Sequence, residues 1–187
     1  MDNERLEWNR KYQTTSQARE PAAVVRAFAR QVDAGRALDL ACGNGRNSCY
    51  LAALGFRVEA IDFAEAGLRR FACRSALIQR LCLDLDAYAI LPRRYDLIVN
   101  LRYLNRRLFP QMQEGLKPGG LLIFESYLKG PEGTAGGKFR AEHLLARGEL
   151  PHAFADLQIL YYREFRSPAG LVPSLTATLV AQRVHHD

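Results

Sequence analysis

Three acidic residues mark three successive apolar runs in the first half of the chain, and a pair of glycines follows the first. Asp39 lies inside Ala37–Cys42 (ALDLAC), four residues before Gly43-Asn44-Gly45; Asp62 closes the run Phe56–Ile61, and Asp84 closes Ala76–Leu83. Glycine at 43 and 45 lets a ligand approach the backbone without meeting a Cβ and permits positive φ. A helix starting at Asn47 would offer its free N–H groups to the same ligand. A carboxylate ending a second strand can accept both hydroxyls of a ribose. One ending a third strand, or the N–H beside it, can reach an adenine amino group. Each acid taken alone is equally at home as a helix cap or turn residue. A dinucleotide fingerprint would need Gly or Ala at position 48; Ser48 stands there and counts against NAD.

Other reactive side chains form no constellation. Cys42, Cys49, Cys73 and Cys82 make no CxxC pair, and His143, His152, His185 and His186 show no ligand spacing. No metal site is expected, and the cysteines read as buried, reduced thiols behaving as small hydrophobes.

The acids and glycines need elements that bring them to one place. Leu6, Trp8 and Tyr12 among charges suggest a short amphipathic helix over residues 1–12, and a second helix follows Pro21 and stops at Gly35. From Arg36 onward strands and helices alternate: strand Ala37–Cys42, helix Asn47–Leu54, strand Phe56–Ile61, helix Glu65–Cys73, strand Ala76–Leu83, strand Tyr95–Leu101, helix Asn105–Leu116, a Lys117–Gly120 turn and strand Leu121–Ser126. That order predicts right-handed crossovers and a mostly parallel sheet with helices on both faces. Gly130–Gly137 reads as a long loop, and Phe139–Phe154 as irregular helix. Leu157–Phe165 and Leu175–Gln182 alternate as an antiparallel hairpin. The expected fold is α/β, Rossmann-like and doubly wound, seven strands in all. It forms a single domain: an N-terminal extension (1–35), a core (36–126) and a substrate loop with the C-terminal hairpin (127–187).

No stretch reaches the roughly 20 apolar residues of a membrane span, and the polar N-terminus is not a secretory signal core. These features favour the cytoplasm. The formal net charge is +6, but the arginines are scattered rather than blocked, which makes nucleic acid an unlikely partner.

DLACGNGRNS resembles motif I of class I S-adenosylmethionine-dependent methyltransferases, and the Lys117-Pro118-Gly119-Gly120 turn is a further recurring feature of that family. Within the family, CGNGRNSCYLAALGFRVEAID is most similar to the small bacterial tellurite-resistance-type methyltransferases, GRN being the distinguishing part. The resemblance implies that Asp39 and Ala41 hold the methionine end of S-adenosylmethionine. It places Gly43, Asn44, Gly45, Arg46 and Asn47 against the cofactor, Asp62 and Phe63 at the ribose, Asp84 and Leu85 at adenine, and Asn100 beside the transferable methyl. WNRKY resembles a segment whose aromatics close over the cofactor, making Trp8 and Tyr12 lid residues.

Methyl transfer is an in-line displacement that asks the protein for alignment and exclusion of water, so no triad or metal is required. The tetrapeptide Asn100-Leu101-Arg102-Tyr103 lacks the prolines of the Asn/Asp-Pro-Pro-Tyr-like motif and argues against adenine-N6 methylation. Arg46, Tyr103 and Tyr127 are the candidate catalytic residues, facing a small-molecule acceptor, with a soft or anionic nucleophile such as a chalcogen oxyanion as one possibility. An RNA methyltransferase is the alternative, and an NAD-dependent oxidoreductase a more distant one. The loop at 129–138 is expected to cover the substrate.

Overall fold

A computed structural model describes residues 2–14, 20–71, 73–130, 141–167 and 174–184. Its helices are α1 (Asp2–Thr14), α2 (Ala23–Phe28), α3 (Arg46–Ala53), α4 (Glu65–Arg69), α5 (Leu108–Gly115) and α6 (Glu149–Ala153). Its strands are β1 (Arg36–Leu40), β2 (Arg57–Asp62), β3 (Ile78–Cys82), β4 (Tyr95–Leu101), β5 (Leu116–Tyr127), β6 (Gln158–Ser167) and β7 (Ser174–Gln182). The strands form one sheet in the order β3-β2-β1-β4-β5-β7-β6. The first five are parallel to their neighbours, while β7 runs antiparallel between β5 and β6. The order reverses between β1 and β4, and the carboxyl ends of those strands form the crevice where such sheets bind ligands.

Side-chain alternation divides the core into two layers. Leu38 and Leu40 of β1 face one side with Ile98, Leu122 and Phe124, against Leu108, Phe109 and Met112 of α5. Phe109, Phe124 and Phe154 form an aromatic cluster there, with centroids 5.1–5.8 Å apart. Ala37 faces the other way with Val58, Ala60, Leu97 and Ile123, against Val25 of α2 and Leu51 of α3. A fully buried Leu or Ile contributes roughly 1.5–3 kcal/mol, and the apolar runs of β1, β4 and β5 follow from burial on both faces.

Several helices are too short to stand alone and are tied at their ends. Arg183 Nη1 donates to the carbonyls of Gln113, Glu114 and Leu116 at the C-terminus of α5. Arg106 grips both carboxylate oxygens of Glu149 and the carbonyls of Glu142 and Leu144, fixing the segment that leads into α6 to the loop after β4.

The structure departs from the sequence reading at several points. Helix α2 ends at Phe28, followed by a 3-10 turn to Gln31, rather than running to Gly35. The Lys117–Gly120 segment lies within β5 as a bulged excursion, Tyr95 facing Leu116 and Leu97 facing Leu121. α4 stops at Arg69 rather than Cys73. α5 begins at Leu108, after a turn at Asn105, rather than at Asn105. Cys49 and Cys73 are joined in a disulfide, so the expectation of four reduced thiols does not hold; Cys42 is a buried free thiol and Cys82 an exposed one. The loop expected at 129–138 falls almost wholly outside the described residues.

Candidate active site

The turn after β1 is built from left-handed backbone. Ala41 (φ 51°), Gly43 (φ 59°) and Gly45 (φ 73°) all take positive φ, a region that costs an alanine free energy and a glycine almost none. A Cβ on Gly43 would lie 2.5 Å from the Tyr12 hydroxyl, and one on Gly45 would run into the Phe71 ring. Both positions therefore need glycine for conformation and for space.

Asp62 fastens this turn to the end of β2. Its Oδ2 accepts from Gly43 N at 2.7 Å and its Oδ1 from Ala64 N at 2.8 Å. Burial pushes its carboxyl upward, and the Ala64 and Gly43 amides oppose that shift. Each oxygen keeps a further lone pair for a ligand donor.

Asp39 is also buried, and accepts from the Ser48 hydroxyl at 2.5 Å. Burial raises its pKa to about 7, with Ser48 pulling down and the negative Asp62 adding to the rise. Asn100 ends the inner run of β4 beside Leu40 of β1. Its Nδ2 donates to Tyr103 O, while its buried Oδ1 has no partner among the described residues. No basic side chain bonds to Asp39 or Asp62 among the described residues. The crevice thus gathers two buried carboxylates and an orphaned carbonyl.

Helix α1 lies across this turn. Asn9 Oδ1 accepts from Ala66 N at the start of α4, and Arg70 Nη1 donates to the carbonyls of Tyr12 and Gln13 at the end of α1. Each helix therefore supplies the terminal partner the other lacks. Tyr12 is half-buried over Gly43 and Gly67. Burial, then the charge of Asp62, raises its phenol above the usual range. Trp8 stacks near Tyr12, ring centroids 5.8 Å apart, with the Lys11 ammonium 4.0 Å from the Trp8 ring. At the other end of α1, Glu4 lies 3.7 Å from His143.

The remaining predicted residues divide. Asn44 is buried in the turn and Phe63 is half-buried after Asp62. Arg46 Nη1 reaches the Glu20 carbonyl at 3.4 Å. Asn47 is buried, and its Oδ1 accepts from Ala22 N at the start of α2. Asp84 is exposed and closes its own turn on Asp86 N, while the carbonyl of buried Leu85 is held by Arg107. Tyr103 meets Asp86 and Asn105 through its hydroxyl, and burial lifts its pKa to about 12. The Tyr127 ring lies 4.6 Å beneath the Arg102 guanidinium, which is also paired with Glu125 at 2.9 Å. Arg102 carries a positive φ of 65° at the end of β4. Sequence reasoning missed Phe71, Asn9 and the positive contribution of Ser48; only Ser48 had a signal, its i+3 spacing from Gly45 on the helix facing β1.

A family model for the tellurite resistance protein TehB matches residues 3–165. The chain belongs to the TehB family. A Haemophilus influenzae (strain 10810) protein described as "Probable S-adenosyl-L-methionine-dependent methyltransferase TehB" is 29% identical over 140 residues, covering 69% of this chain and 48% of that protein. An Eikenella corrodens protein described as "Hemagglutinin 1" is also 29% identical over 140 residues, covering 69% of this chain and 46% of its own. The chain spans about half the length of the curated relatives it matches. The crystal structure of TehB from Haemophilus influenzae superposes with a TM-score of 0.74 at 24% identity, over 94% of this chain and 65% of that one. An S-adenosylmethionine-dependent methyltransferase from Mesorhizobium loti gives 0.68 at 22% identity, over 86% and 96%. These likenesses establish that this TehB-family chain has the Rossmann-like methyltransferase fold.

Proposed function

We propose that this TehB-family chain binds S-adenosylmethionine in the crevice beyond β1, β2 and β4 and transfers its methyl group to a small-molecule acceptor. The observation that carries this reading is the charge of the crevice. Among the described residues, Asp39 and Asp62 are buried without a basic side chain bonded to either, and Asn100 Oδ1 has no donor. Such a site favours a ligand that brings positive charge and N–H donors, as the methionine ammonium does. A dinucleotide pyrophosphate would be brought against the same two carboxylates and repelled.

Bound there, the cofactor supplies an activated methyl group on a sulfonium. Asp39 and Asn100 are suited to the ammonium, and the free lone pairs of Asp62 to ribose hydroxyls. The turn from Ala41 to Gly45 would present its backbone to the ligand, with Tyr12 packed on Gly43 and the Phe71 ring on Gly45. Tyr12 and Trp8 on α1 exclude water from above. Tyr103, with its pKa near 12, donates a hydrogen bond rather than removing a proton at neutral pH. Arg46, Tyr103 and Tyr127 are proposed to orient the acceptor, and Arg46 adds positive charge suited to an anionic nucleophile.

Methyl-labelled S-adenosylmethionine incubated with the protein and either chalcogen oxyanions, small thiols or bulk RNA tests the reading. Label is expected in a small methylated product. Label entering RNA alone would replace the acceptor assignment, and label entering none of them would count against the activity.

A further inference from the structure

The Cys49–Cys73 disulfide joins the two structures that grip the glycine turn. Cys49 lies in the first turn of α3, its N–H donating to Gly45 O at 2.8 Å. Cys73 lies two residues after Phe71, whose ring packs against Gly45 so closely that a Cβ there has no room. The bridge closes a segment of sequence separation 24 that contains Asp62, α4 and Gly67. Gly67 packs in turn on the Gly43 carbonyl. The covalent link therefore spans Asp62, Gly67 and Phe71, which all touch the turn from the β2 side.

The link has an opening to solvent. Cys73 lines a cleft of about 640 Å³ together with Phe71, Arg69, Arg74 and Arg80; Cys49 is not among its lining residues. Arg80 donates to Leu68 O and lies 5.7 Å from the Phe71 ring, so one wall of the cleft is continuous with the Phe71 contact. Arg69 pairs with Glu65, and Arg74 has no acidic partner among the described residues. The cleft is cationic, which concentrates anionic reagents beside Cys73.

We infer that Cys73 is a thiol-exchange site for anionic low-molecular-weight thiols, and that opening its bridge to Cys49 releases Phe71 from the glycine turn. The thiolate of the reagent attacks Cys73 Sγ; the Cys49–Cys73 bond breaks, and Cys49 leaves as a thiolate that takes a proton from water. A mixed disulfide remains on Cys73. A second thiolate attacks the reagent sulfur of that mixed disulfide, freeing Cys73 as a thiolate and forming the reagent's own disulfide. Two thiols are oxidised and one protein disulfide is reduced. The consequence for cofactor binding rests on the reading of the glycine turn given above.

The test begins with peptide mapping of air-handled protein without reductant, where a Cys49–Cys73 peptide is expected and its absence overturns the inference. Mercaptoethanesulfonate and cysteamine are then compared at equal thiolate concentration. The anionic thiol is expected to label Cys73 about tenfold faster, with the advantage reduced in Arg74→Gln. Equal rates, or labelling at Cys49, contradict the assignment. After full reduction, amide hydrogen exchange at residues 43–47 is expected to quicken, and S-adenosylhomocysteine to bind about fivefold more weakly. Unchanged amide exchange overturns the switch. Faster exchange with no S-adenosylhomocysteine binding in either redox form would uphold the switch and refute the cofactor assignment. Wild-type protein suffices for the peptide map, the amide exchange and the S-adenosylhomocysteine titration; Cys49→Ser/Cys73→Ser should match the reduced form.

Discussion

The Ser48 hydroxyl donates to Asp39 Oδ2 at 2.5 Å, and joins the first helix after the glycine turn to the carboxylate of the strand before it. In a dinucleotide site a small residue at 48 would let helix and strand close together. Here the serine fills that position and supplies the one side-chain donor to a buried carboxylate. The residue that breaks one fingerprint thus stabilises the other.

Asp39 should make cofactor binding depend on pH. Its folded pKa of about 7, raised by burial above the model-peptide 3.8, means the free protein holds it protonated in acid. A cationic ligand needs it ionised. Affinity for S-adenosylhomocysteine is therefore expected to be flat above about pH 7 and to fall about tenfold per unit below it. The same shift sets the sign for stability. Between about pH 4 and 7 the folded state keeps a proton that the unfolded chain has lost, so this group makes the free protein less stable as pH rises through that window. Asp39→Asn should flatten both profiles; calorimetry across pH 5–8 and thermal melts measure them.

Asp62 carries both the turn and a ribose contact in this account. Asp62→Ala should weaken S-adenosylhomocysteine binding by roughly 1.5–3 kcal/mol, because charge-assisted bonds are lost and the buried Gly43 and Ala64 amides are left unpaired. Asp62→Asn, which keeps one acceptor oxygen, should fall between. Unchanged affinity in the alanine variant would remove the ribose assignment.

Helix α1 should control how fast the ligand leaves. Asn9→Ala removes the cap on α4, at a cost of about 1 kcal/mol, and loosens one end of the α1–α4 pairing. Stopped-flow displacement followed by Trp8 fluorescence should show faster dissociation of S-adenosylhomocysteine, alongside that loss of about 1 kcal/mol in stability. A dissociation rate equal to that of wild type would leave α1 as packing alone.

The alternation of strands and helices, the mostly parallel sheet and the C-terminal hairpin were readable because they rest on local pattern. Runs such as DLIVN and LLIF must be buried on both faces; Asp39 lies inside the apolar run of β1, and Asp62 ends β2. The hydrogen bond from Ala22 N to Asn47 Oδ1 was not legible, because its two partners are brought together only by folding. The Lys117–Gly120 segment carries turn residues, yet neighbouring strands absorb it as a bulge, Gly119 N pairing with Arg183 O. The disulfide depends on a Cα separation of 5.9 Å, which no spacing in the chain announces. Phe71 reads as one more apolar residue near a helix end until Gly45 is beneath it.

The crevice is proposed to select a methionine nucleoside, through its ammonium group, over an anionic dinucleotide. Isothermal titration of the same protein with S-adenosylhomocysteine and with NAD tests this directly. The account predicts saturable binding of S-adenosylhomocysteine in the micromolar range, weakened by Asp39→Asn, and no heat of binding with NAD. Saturable binding of NAD without binding of S-adenosylhomocysteine would contradict it.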